Sequence, residues 1–127
     1  MTEPEHFVVE RGRTIALEFD GWKIAHTDSR YPKGRITSNP RDNDQRVRWN
    51  ETVIYRTTTN KWVVVSIGRS RHSGERDLVK TEVCTEPIEV QAAVRVPNGT
   101  ITATSAEALR QAAAADPRLA AITAEHV

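Results

Sequence analysis

Arg69-Ser70-Arg71-His72-Ser73-Gly74 brings two guanidiniums, an imidazole and two hydroxyls into six residues, with Arg76 close behind. Such a tip suits a phosphate, because the planar fork of Arg makes bidentate contacts that Lys cannot. A solvated turn in an arginine-rich protein accounts for the same residues. Strand parity places Arg48, Arg56, Lys80, Lys23 and Asn50 around Trp62 on one sheet face. That face would offer charge for a nucleic-acid backbone and a ring on which a base stacks. Trp and Arg are equally the preferred anchors of a protein interface. Pairing of these bases with Glu18 and Glu82, which share the face, is the structural explanation.

Other chemistries find less support. His6, His26, His72 and His126 show neither His-x-His nor His-x-x-x-His spacing, and Cys84 has no Cys-x-x-Cys partner. No metal centre or cofactor is expected. A Gly-x-Ser-x-Gly elbow and a glycine-rich phosphate loop are both absent from the sequence. Asp42 and Asp44 read as turn-forming acids. The alternative is a small enzyme or ligand-binding barrel whose pocket lies near His26, Tyr55 and Cys84.

Charge is distributed unevenly. Residues 1–29 carry six acids against three bases, residues 30–80 five acids against twelve bases, and residues 81–127 six acids against three bases. A formal net charge of +1 thus hides a middle of +7 between flanks of −3 each. A clustered positive field attracts anions whatever the total.

The chain has 127 residues, the size of one domain with one continuous core. Its single Cys cannot form an internal disulfide, no apolar run reaches the length of a membrane span, and Met1 leads into Thr-Glu-Pro-Glu. A soluble cytoplasmic protein is expected, with no membrane partner. Arginine outnumbers lysine 14 to 4, a composition associated with GC-rich genomes such as those of actinobacteria and their phages.

Strands must position these side chains. Phe7–Val9, Ile15–Phe19 and Trp22–Thr27 alternate with turns at Arg11-Gly12 and Asp20-Gly21, predicting a three-stranded meander. Residues 29–46 form a basic, Pro-containing loop of the long kind that is commonly functional. Val47–Thr57 and Lys61–Arg69 form a hairpin around Asn60, followed by a strand at Leu78–Cys84. Glu86–Val96 fits a strand through Ile88, Val90, Ala92 and Val94, and a helix through Pro87, Val90, Ala93 and Val94; the strand is favoured. Thr104 and Glu107 form a capping box that starts a helix, and Asp116-Pro117 stops it and starts another. One sheet face is expected to be dry and covered by these helices, the other wet.

Thr52-Val53-Ile54-Tyr55-Arg56-Thr57, a polar turn and Lys61-Trp62-Val63-Val64-Val65 resemble part of the EXLDI family, found in actinobacteria, their plasmids and phages. The likeness covers about a fifth of the chain, and the namesake motif is absent. The resemblance implies a genomic neighbourhood and no mechanism.

The expected fold is therefore α+β: a mainly antiparallel twisted sheet of six or seven strands, open or curled into a partial barrel, with one or two C-terminal helices. The expected function is that of a non-enzymatic binding protein, encoded by a phage or mobile element. It would engage a host protein or a nucleic acid through Arg41, Arg46, Arg48, Arg56, Trp62, Arg69, Arg71, His72 and Arg76.

Overall fold

A computed structural model describes residues 2–11, 14–29, 48–70, 74, 77–95 and 102–123. Five strands, β1 (Glu5–Arg11), β2 (Thr14–Asp28), β3 (Arg48–Thr57), β4 (Trp62–Ser70) and β5 (Leu78–Cys84), form one antiparallel sheet in sequential order. Three helices follow, α1 (Pro87–Ala93), α2 (Ala103–Ala115) and α3 (Pro117–Thr123). The sheet curls into a half-barrel, so its two edges approach and Thr81 Oγ1 on β5 donates to Glu10 O on β1 at 2.5 Å.

Two expectations account for the surplus strands. Asp20-Gly21 is not a turn: β2 runs through it, pairing with β1 up to Gly21 and with β3 from Gly21 onward. Gly21 is the corner of the curl, where a Cβ would stand 2.0 Å from Arg56 O, so only a residue without one fits. Glu86–Val96 is not a strand: residues 87–93 are helical, with Pro87 in the first turn, where its missing N–H costs nothing. Val90, Ala93 and Val94 are buried at helical spacing while Ile88 is exposed.

The sheet has two dry faces. On the inner face Val9, Val53, Tyr55, Val63 and Val65 are buried, with Phe7, Leu17, Phe19, Ile67 and Val79 packed on them. Phe7, Phe19 and Tyr55 interlock across three strands, with centroids 4.7–5.5 Å apart. The opposite face, expected to be wet, carries Ala25, Ile54, Trp62, Val64 and Cys84, and the helices cover it with Val90, Ala93, Val94, Ala108, Leu109, Ala112 and Leu119. The helices dock as expected, but on the other side of the sheet. The curl encloses the inner face and frees the helices for the outer one.

Three local details shift with this. A bulge between Lys23 and Ala25 reverses the parity of β2, so Ile24, expected inside, packs with Ala25 on the helical side, while His26 keeps its expected place on the inner face opposite Val53. Ile15, expected inside, is 87% exposed. Thr102 rather than Thr104 caps α2, its Oγ1 accepting from Ser105 N at 3.1 Å. The Asp116-Pro117 break stands as expected: Asp116 N donates to Ala112 O at 2.8 Å, and its Oδ1 accepts from Arg118 N at 3.0 Å.

Candidate functional site

The strand register brings the strand ends that flank both basic segments to one end of the sheet. Residues 30–47 follow Ser29 and precede Arg48; residues 71–76 follow Ser70 and precede Asp77. Arg48 pairs with Ser70, Trp49 with Arg69, and Asp28 with Glu51, all at the end opposite the Asn60 turn. Ser29 N donates to Asn50 O at 2.8 Å, and Ser29 Oγ accepts from Asn50 N at 2.9 Å. Ser70 N donates to Asp77 Oδ1 at 3.0 Å. Both points of exit are thus tied to the ladder.

A polar cluster caps the inner apolar core at this end. Glu51 lies two residues before Val53, on the inward parity of β3, and its side chain is only 10% exposed. Its Oε1 is 2.9 Å from His26 Nε2 on β2, while its Oε2 accepts from Arg69 Nε on β4 at 2.6 Å and from Trp49 Nε1 at 3.2 Å. Arg69 Nη1 continues to Asp77 Oδ2 at 2.9 Å. A carboxylate taken out of water needs such donors. The hydrogen bond with His26, followed by that from Arg69, outweighs burial and pulls the Glu51 carboxyl down to about 2. The Arg69 bond, then the Ser70 N–H, lowers Asp77 in the same direction. Asp28, also buried, faces Glu51 across the ladder.

The expected site residues fall into three groups. Arg41, Arg46, Arg71, His72 and Arg76 lie outside the described residues, and Arg48 begins β3. Arg69 is engaged by Glu51 and Asp77 rather than displayed on a mobile tip. Arg56 and Trp62 belong to the helical face: Trp62 is 0% exposed and offers no stacking surface. Its Nε1 donates to Asp116 Oδ2 at 2.9 Å, Arg56 donates to the same oxygen, and the Arg56 and Arg118 guanidiniums lie 4.9 and 4.5 Å from its ring. Trp62 was placed on a wet face because alternation identifies faces but not what covers them.

The alternative trio does not converge. Tyr55 and His26 share the inner face, Tyr55 within the aromatic cluster, while Cys84 is buried under the helices, where desolvation pushes its thiol up to about 11. Glu51, Asp77 and Asp116 were missed as functional or positioning residues. For Glu51 a signal existed: an acid on the apolar parity of a strand is a buried charge in need of a partner.

Among the described residues no group of three or more His, Cys, Asp or Glu side chains is arranged to hold a metal ion, and no helix is long and apolar enough to cross a membrane. Comparison with protein-family models, with curated proteins and with solved structures finds no match to this chain.

Proposed function

We propose that this protein binds nucleic acid through its phosphate backbone, using the arginine-rich segments that leave one end of the sheet. The observation that carries this reading is the register of β2, β3 and β4, which brings the exits of both segments together. Residues 30–47 hold five bases against two acids, and residues 71–76 add Arg71 and Arg76 against Glu75. Their charges act as one field when they start from neighbouring strand ends, and backbone phosphates are the densest anions such a field can meet.

Burial of Trp62 supports nucleic acid over a protein partner. A protein interface draws its affinity from desolvated aromatic and Arg anchors, and here Trp62 and Arg56 are committed to Asp116. The arginines of residues 30–47 and 71–76 suit contacts to phosphates with little base readout. The EXLDI-like strand pair fits a phage or mobile-element protein acting in the cytoplasm of an actinobacterium. Titration of labelled RNA and DNA oligonucleotides at several salt concentrations tests the reading. Affinity that falls steeply with salt supports it, and absence of binding at low salt refutes it.

A further inference from the structure

Four features of the cluster around Glu51 exceed what a structural ion pair requires. The carboxylate holds an imidazole on one oxygen and a guanidinium on the other, so His26 on β2 and Arg69 on β4 flank it from the two neighbouring strands. Glu51 is withdrawn from solvent, whereas His26 and Arg69 are 31% and 38% exposed. Among the described residues His26 Nδ1 and Arg69 Nη2 have no protein partner, because their bonds are made through Nε2, Nε and Nη1. The cluster also sits at the end of the sheet where both basic segments begin.

A hydrogen bond from Nε2–H to a fixed carboxylate leaves Nδ1 with its lone pair outward, the arrangement of an oriented general base. The adjacent guanidinium can meet negative charge as it develops. Among the described residues no Ser, Thr or Cys side chain is hydrogen-bonded to the His26 ring or the Arg69 guanidinium: Thr27 Oγ1 donates to Thr104 O, and Cys84 lies under the helices. A substrate that brings its own nucleophile needs none, and RNA does so in its 2′-hydroxyl.

We propose that His26 and Arg69, held together by Glu51, form an RNA-cleaving site at the end of the sheet where the nucleic acid binds. The proposal rests on the binding reading above. His26 Nδ1 takes the proton of the 2′-hydroxyl, the 2′ oxygen forms a bond to phosphorus, and the bond from phosphorus to the 5′ oxygen breaks. The departing oxygen takes a proton from water, and His26 returns its own to solvent. The products are a 2′,3′-cyclic phosphate and a 5′-hydroxyl, with no other reactant consumed. Arg69 Nη2 faces the charge that accumulates on the phosphoryl oxygens. One guanidinium against the carboxylates of Glu51 and Asp77 leaves the cluster itself net negative, so the charge that attracts the polyanion is that of the flanking sequence, and Arg69 acts only on the phosphoryl oxygens brought to it. Glu51 does not touch substrate and acts as a positioning residue. The strong hold on its ionised form keeps it a carboxylate throughout.

The test incubates the full chain with a labelled RNA oligonucleotide and with the same sequence carrying 2′-deoxyribose throughout. Binding is followed by anisotropy and products by gel and mass spectrometry. The expected result is cleavage of RNA to cyclic-phosphate ends and binding without cleavage of the deoxy strand. His26→Gln, checked for folding by circular dichroism, should bind RNA unchanged and cleave at least about 100-fold more slowly, the usual contribution of a general base. Glu51→Gln, with kcat normalised to the folded fraction read by circular dichroism, should still lower kcat and leave KM in place; a kcat restored to wild type by that normalisation would make the role of Glu51 purely structural and overturn the proposal. RNA bound but uncut, or cut equally by His26→Gln, overturns this proposal and leaves the binding reading intact. Failure to bind RNA at low salt overturns both.

Discussion

Trp62 Nε1 donates to Asp116 Oδ2 at 2.9 Å, joining the centre of the sheet to the break between α2 and α3. The same carboxylate accepts from Arg56 and, through Oδ1, from the Arg118 N–H. One buried acid thus satisfies an indole, neutralises a guanidinium and starts a helix. Asp116→Ala should lower stability by roughly 3 kcal/mol, the cost of stranding a largely buried charge, and Asp116→Asn by less, because its oxygen still accepts. Urea denaturation followed by circular dichroism checks the order.

Gly21 permits the bend of β2. Its Cα faces the β3 backbone so closely that a Cβ would lie 2.0 Å from Arg56 O, and a strand backbone cannot yield that far. Gly21→Ala should therefore prevent folding or lower the thermal midpoint sharply, although alanine is neither large nor polar. Gly68→Ala, whose nearest atom would be 3.7 Å away, should be mild in the same melting experiment.

Two dry faces give a prediction that a one-faced sheet does not. Val64 lies against the helices and Val65 against the inner aromatic cluster. Val64→Asp and Val65→Asp should each abolish soluble expression, since either forces an unpaired charge into a core. Ile15→Lys, on the exposed start of β2, should change stability by less than about 0.5 kcal/mol.

The inner face was legible in the sequence because the alternation of Val53, Tyr55, Val63 and Val65 is a local pattern. The central hairpin and the Asp116-Pro117 break were legible for the same reason. Asp20-Gly21 misled because the dipeptide that favours a tight turn also suits a corner, and only the approach of Arg56 O separates the two. Trp62 and Arg56 looked like a binding surface because their partner, Asp116, lies 54 and 60 residues away. Glu51 lies 25 residues from His26 and 18 from Arg69, joined only through a sheet register that a bulge in β2 shifts.

Acid should weaken the fold through Glu51. Its folded carboxyl titrates near 2 against an ordinary value of 4.5. A lowered folded value means that the stabilisation is complete above pH 4.5 and is lost as pH falls from there toward 2. Such a displacement corresponds to stabilisation on the order of 3 kcal/mol at neutral pH. Glu51→Gln should be less stable at pH 7 and flatter than wild type across that window, as measured by urea midpoints at a series of pH values.

The salt dependence of RNA binding by wild type and by a charge-reversed variant shows whether the basic end of the sheet holds the phosphate backbone. Arg69 is unsuitable for reversal because it holds Glu51 and Asp77, so the variant reverses Arg41, Arg46, Arg71 and Arg76 to Glu. Wild-type affinity should fall with a slope of about one logarithmic unit per phosphate contact. The variant should fold normally, bind far more weakly and show a flatter slope. A folded variant with wild-type affinity and slope would exclude the basic end of the sheet as the binding surface.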